Sequence, residues 1–232
     1  MNIWENLIED FEKALPSDVQ CELKMINSTE SLTRFANSHI HQNVEEEITD
    51  VYLTIHLNGK TKNMNFNITS MKSAKDIIKK ALSGIENNPE DITWPGLADK
   101  NNSFNGLKEI SPEDPDLRAK KVKEFIDQGK DFNAAGYCSS NVSNVFVWNS
   151  NGLNSADTAT GAFLDGIFRS KTSAGSSHIG NKNLNEIDAS NVGKEAYQIA
   201  RESQNPEDID PGTYEVILGP DAVSTILVFL SV

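Results

Sequence analysis

Val51, Leu53, Ile55 and Leu57 alternate with polar residues, and the run ends in Asn58-Gly59. Alternation puts these four side chains on one face of a strand, because successive Cβ atoms point to opposite sides. Asn-Gly supplies the two left-handed residues that a tight type I′ turn requires. The chain must therefore turn straight back as an antiparallel partner, which runs to about residue 68. A helix lies on either side of this hairpin. Ile3, Trp4, Leu7, Ile8, Phe11 and Leu15 share one face of a helix over residues 2–15, and Pro16 ends it. Met71, Ala74, Ile77, Ile78, Ala81, Leu82 and Ile85 mark a second helix, with Ser70 placed to cap its start. Val19, Cys21, Leu23 and Met25 alternate as a half-buried strand, and residues 30–42 are extended with a turn near Asn37. Helix, antiparallel meander, helix is an α+β unit.

Residues 86–110 are rich in Asn, Pro, Asp and Gly and carry little periodicity, so they read as a long connection. Residues 1–110 thus form an N-terminal α+β domain with its linker. A strand-rich α+β middle domain follows over 111–210. Asp114-Pro115 opens a helix with Leu117, Val122, Phe125 and Ile126 inward and Gly129 as its stop. Strands follow from Phe132 to Trp148 and, after the turn Asn149-Ser-Asn-Gly152, from Leu153 to Ser170. Gly161 and Gly166 inside that run predict bends or close backbone approach. Ser173 to Gly180 reads as a flexible loop. Asp188 caps a helix to about Ser203, with Val192, Ala196 and Ile199 inward.

The last stretch, Pro211-Gly-Thr-Tyr-Glu-Val-Ile-Leu-Gly-Pro-Asp-Ala-Val, reads as a strand (Thr213 to Leu218) running into a helix. Ala222, Val223, Ile226, Leu227 and Leu230 recur there at helical spacing with nothing to bury them. One reading packs this helix back on the domain. The reading preferred here makes 211–232 the start of a further, C-terminal domain.

The 34 acidic residues outnumber the 21 basic ones, for a net charge of −13. Nucleic-acid binding relies on Lys and Arg to neutralise phosphates, so that function is excluded as the main activity, and anionic membranes are repelled for the same reason. The N-terminus has neither a basic region nor an unbroken apolar run, and no stretch approaches the roughly 18 apolar residues of a membrane span, so the expected place is the cytoplasm.

Chemistry-bearing patterns are sparse. His39 and His41 lie two apart on an extended segment and share a face, but no third metal ligand is near in sequence. His178 falls in the Ser/Gly loop. Cys138 has no charged activating neighbour and reads as a small core residue. No Gly-x-Ser-x-Gly elbow, phosphate loop or dinucleotide fingerprint is present. No catalytic and no metal-binding residue can be assigned.

Four stretches together resemble the TldD/PmbA family, and within it the PmbA (TldE-like) branch. They are residues 30–42 (Glu30-Ser-Leu-Thr-Arg-Phe-Ala-Asn-Ser-His-Ile-His-Gln), Pro95-Gly-Leu-Ala-Asp, Trp148-Asn-Ser-Asn-Gly-Leu, and Val192-Gly-Lys-Glu-Ala followed by the stretch from Pro211 to Val223. The resemblance implies a cytoplasmic metallopeptidase assembly, in a family that also carries the label modulator of DNA gyrase. There a TldD-type chain holds zinc through a His-Glu-x-x-x-His motif in its C-terminal domain and pairs with a PmbA-type chain, or a chain pairs with itself. No position here matches that motif. Zinc is therefore expected only in a missing C-terminal domain or a partner subunit. What the resemblance implies for this chain is a non-catalytic portion that contributes dimerisation and unfolded-peptide binding. Arg34, Asn149, Asn151 and Gly152 are the candidates for groups facing a substrate cleft. The plainer reading, which the residues alone favour, is an Arg34 that makes only a surface ion pair and a turn at Asn149–Gly152 that is only a hairpin turn. The alternative of another class is a stand-alone adaptor on the same scaffold.

Overall fold

The computed structural model describes residues 3–67, 73–100, 107–108 and 110–230. The fold is α+β, with five helices among the described residues and one six-stranded antiparallel sheet in the order β3-β2-β1-β4-β5-β6. The strands are β1 (Gln20–Ala36), β2 (His39–Leu57), β3 (Lys60–Asn67), β4 (Asn133–Asn149), β5 (Asn154–Arg169) and β6 (Ala174–Asn181). The central strands are long. At about 3.3 Å per residue, β1 and β4 each reach roughly 55 Å.

The helices are α1 (Ile3–Ala14), α2 (Ala74–Ile85), α3 (Pro115–Ile126), α4 (Ala189–Glu202) and α5 (Pro220–Leu230). α1 and α2 cover one end of the sheet, burying Leu7 and Phe11 against Cys21, Leu23, Val51, Leu53, Ile55 and Trp148. The opposite end of the same face lies under α3 and α4, where Phe35, Cys138, Leu164 and Phe168 meet Val122, Phe125, Val192 and Ala196. Between these two cores the face is polar. Thr158 there donates to Asn144, and the connector returns across it through the Lys108 N–H, which donates to the Thr158 hydroxyl at 3.0 Å. Among the described residues no helix covers the other face. Ile26, Leu32, Val145, Val147, Phe163 and Ile167 stay partly exposed, and Val44 and Tyr52 more so.

Several elements differ from the sequence reading. Residues 19–25 and 30–36 join in one strand, which ends at the left-handed pair Asn37 (φ 51°) and Ser38 (φ 60°). The cap of α2 is Ser73, whose hydroxyl accepts the Asp76 N–H; Ser70 and Met71 lie outside the described residues. Ser173 to Gly180 is not a loop, because Ala174–Asn181 pairs with β5 as β6. Small residues are required there by packing: a Cβ on Gly175 would come within 2.3 Å of the Ala196 carbonyl and the Ala200 nitrogen of α4. Ile199 lies outside the buried face of α4, which runs through Ala189, Val192, Ala196 and Ala200. Thr213 to Leu218 has the composition of a strand but pairs with none among the described residues, and it is exposed throughout. α5 forms as expected and buries none of its residues.

The cap expectations hold elsewhere: Asp114 accepts the Asp116 N–H with Pro115 next, and Asp188 accepts the Asn191 N–H. Gly166 is a place of close approach, though by a ring and not by backbone, since a Cβ there would meet the Phe125 ring at 2.3 Å. No described helix is long and apolar enough to cross a membrane.

Arg118 fixes α3 to the sheet. It lies one turn before Val122, on the buried side, and is only 1% exposed. Its guanidinium donates to the Glu113 carbonyl (2.8 Å), the Thr33 hydroxyl (3.3 Å), Asn43 Oδ1 (3.4 Å) and the Ser140 hydroxyl (3.5 Å). One side chain thereby ties the helix to β1, β2 and β4. Arg118→Ala removes these bonds, strands their acceptors and leaves a cavity, so it should cost about 2–4 kcal/mol in urea unfolding.

Candidate functional site

The turn after β4 is organised by Asn149, which is fully buried. Its Oδ1 accepts the N–H groups of Asn151 (3.0 Å) and Leu153 (3.1 Å), and its Nδ2 donates to the Ala98 carbonyl (2.8 Å). Gly152 takes φ 92°, a conformation glycine adopts without strain. Asn151 Nδ2 donates to Asp99 at 3.3 Å. Ser150 closes the turn onto β1, donating its N–H to the Cys21 carbonyl and accepting the Cys21 N–H on its hydroxyl. Two stretches distant in sequence, 95–99 and 148–152, are thus bound to each other.

They line a groove of about 700 Å³. Its other wall is the end of α1 and the chain entering β1, with Glu12, Leu15, Asp18 and Gln20, and Trp148 is among its lining residues. Apolar side chains together with carboxylates and main-chain groups suit a polypeptide segment better than a small apolar ligand.

Three of the four candidate cleft residues therefore come together, in a turn whose polar groups serve the turn itself. Arg34 is not with them. It is exposed near the far end of β1, paired with Gln42 and Tyr137, whereas Asn149 pairs with Glu22. Twelve residues of strand separate the two places, roughly 40 Å. Among the described residues Arg34 makes no ion pair; its carbonyl contacts the His41 ring at 3.2 Å.

The connection 86–99 is also fastened to the β2–β3 hairpin. Lys60 donates to the Glu86 carbonyl, Asn88 to the Thr61 carbonyl, and the Asp91 N–H to the Gly59 carbonyl. The Trp94 ring stacks on His56 with centroids 4.8 Å apart and planes 7° apart, and its indole N–H donates to Gln20 at 2.9 Å. Sequence reasoning missed Trp94, Gln20 and Asp91, because their partners lie on strands far away in the chain. Hydrogen bonds from the Thr61 and Thr93 hydroxyls hold the Asp91 carboxyl below its usual range.

Among the described residues no three His, Cys, Asp or Glu side chains are grouped to hold a metal ion. The zinc that the resemblance implies has no fitting ligand set here, and no chemical step is derived through it. His39 and His41 each turn a ring nitrogen to a nearby carbonyl. Cys21 and Cys138 are buried, and burial pushes both thiols up to about 12, so neither is a nucleophile near neutral pH.

Because the folded pKa of Asp91 is lowered, its contribution to stability is present above the unfolded value and is lost as pH falls through the folded one. Asp91→Asn should slightly lower the urea midpoint at about pH 6, and the difference from the parent should shrink as pH falls below the ordinary carboxylate range.

No family model matches the sequence, and no curated protein matches it. Solved structures do match. A candidate DNA gyrase modulator from Thermotoga maritima superposes with TM-score 0.70 at 15% identity, over 90% of this chain and 50% of that one. TldE from Thermococcus kodakarensis gives 0.64 at 16%, over 85% and 47%. A second candidate gyrase modulator, from Bacteroides thetaiotaomicron, gives 0.66 at 12%, over 88% and 50%. The chain spans about half the length of the structures it matches. At these identities the likeness is one of fold: the chain has the fold shared by TldE and the candidate DNA gyrase modulators, as its sequence resemblance to the TldD/PmbA family leads one to expect.

Proposed function

We propose that this chain is a non-catalytic portion of a TldD/PmbA-type metallopeptidase, holding unfolded peptide while the metal chemistry is done elsewhere. The observation that carries this reading is the open half of the sheet. β6 pairs with β5 only from Ala162 to Arg169, so Asn154 to Gly161 has no strand partner on its outer side among the described residues. That edge carries one charge, Asp157, and small side chains otherwise. The corresponding edge of β2, residues 39–49, which has no strand partner among the described residues, carries Glu45, Glu46 and Glu47, the kind of charge that discourages strand addition. An extended peptide added along β5 is held by main-chain bonds that ignore its sequence.

The zinc would come from a TldD-like partner subunit or from a C-terminal domain. The exposed tail, with Ile217 at 99% and Phe229 at 78%, is the surface assigned to that association.

The test is binding and cleavage of a reduced, alkylated protein and of a short extended peptide by the purified chain. The expected result is saturable binding without hydrolysis, weakened at least tenfold (about 1.4 kcal/mol) when alternate peptide nitrogens are methylated. Hydrolysis by the chain alone, or equal binding of the methylated peptide, would overturn the proposal.

A further inference from the structure

β6 stops halfway along β5, where Asn181 lies opposite Ala162. Asn181 makes the exit: its Oδ1 accepts the Lys182 N–H at 2.7 Å and its Nδ2 donates to the Glu186 carbonyl at 3.4 Å. The chain then passes to the helix side of the sheet, where Leu184 is fully buried and its N–H donates to Glu113. The uncovered face is thereby left open where the free edge of β5 begins. A depression of about 440 Å³ lies there, with Asn141, Gly161, Phe163, Gly180 and Lys182 in its lining. Gly161 and Phe163 alternate with the buried Ala162 and Leu164, and they pair with Asn141 and Gly180, so all these positions share the uncovered face. The two glycines form the floor. A Cβ on Gly180 would meet the Phe163 ring at 3.3 Å, and one on Gly161 would lie 2.6 Å from Asn141 Oδ1. Tyr137 and His178 brace the Phe163 ring, with centroids 5.9 and 5.8 Å away.

We infer that this depression is the side-chain pocket of the β5 edge, and that it selects an aromatic residue (Phe, Tyr or Trp) of the added peptide. The inference rests on the reading of β5 as a strand-addition edge. A peptide added antiparallel to β5 runs in the direction of β6 and continues it past Asn181. Its residue opposite Gly161 points to the uncovered face, because directly paired residues of an antiparallel ladder share a face. That side chain meets no side chain on Gly161, and an aromatic ring laid over a strand glycine fills the space. Phe163, two residues along on the same face, offers it a second ring. Lys182 is the one charged residue of the lining. Its stem can lie along an aromatic ring with the ammonium over the π face, whereas it repels a lysine or arginine in the same place. A carboxylate side chain is disfavoured by the apolar ring and floor and by the net charge of −13.

The test is calorimetric binding of extended peptides that differ at one central residue, Phe, Ala or Glu, to the purified chain and to Gly180→Val. Valine at 180 fills the floor from β6 and leaves the free edge of β5 untouched. On the parent chain the Phe peptide should bind about tenfold tighter than the Ala peptide, and the Glu peptide no tighter than Ala. In Gly180→Val that advantage should fall to about twofold or less, with the Ala peptide unchanged. The comparison on the parent chain stands even if the variant folds poorly. Equal binding of Phe and Ala peptides, both still weakened by N-methylation of alternate peptide nitrogens, would overturn the pocket and leave the edge reading in place. A Glu peptide that binds tightest, or a Phe advantage that survives in a folded Gly180→Val, would overturn the pocket as well. Peptides that bind equally well with and without N-methylation would instead overturn the edge reading, and the pocket with it.

Discussion

The antiparallel pairing of β1 with β4, from Glu22–Asn149 to Phe35–Gly136, is the constraint on which the molecule depends. It joins a three-stranded meander to a second three-stranded meander and makes them one sheet. Because side chains alternate strictly along both strands, a slip of one residue would turn both cores out to solvent. Buried glycines and small residues lock the register. At Gly136, with φ +152°, a Cβ would come within 2.1 Å of the Asp165 carbonyl, so β4 approaches β5 there as only glycine allows.

All four packed helices lie on one face, and they lie in two groups at opposite ends of the long strands. A buried polar side chain adds to the apolar contact at each end. Arg118 fastens α3 across three strands at one end, and Asn149 fastens the connector to the turn at the other. A buried guanidinium satisfied by neutral oxygens contributes geometry more than free energy, because its desolvation is only partly offset. The uncovered face and the exposed tail are the remainder of this one-sided packing. The proposed role rests on that tail and on the free edge of β5.

Where local chemistry decides the structure, the sequence was legible. The alternation at Val51–Leu57 with Asn58-Gly59, the Asp114-Pro115 and Asp188 caps and the turn at Asn149–Gly152 all form as their residues dictate. Where a distant partner decides, it was not. Ala174–Asn181 has poor strand composition and becomes a strand because β5 offers an edge and α4 leaves room only for small side chains. Thr213–Leu218 has good composition and no strand partner among the described residues. Arg118 was readable in principle, since positions 118, 122 and 125 share a helical face, but its charge argues for the surface. Trp94 carries no such signal, as its contacts with His56 and Gln20 arise only from the folded register.

The most direct test of the central claim is a map of amide exchange with and without a bound, non-cleavable extended peptide. Main-chain pairing along the free edge of β5 predicts slowed exchange at alternate amides within 154–161 and little change along the β2 edge at 39–49. Slowing confined to the tail at 211–230, or to the β2 edge, would contradict it.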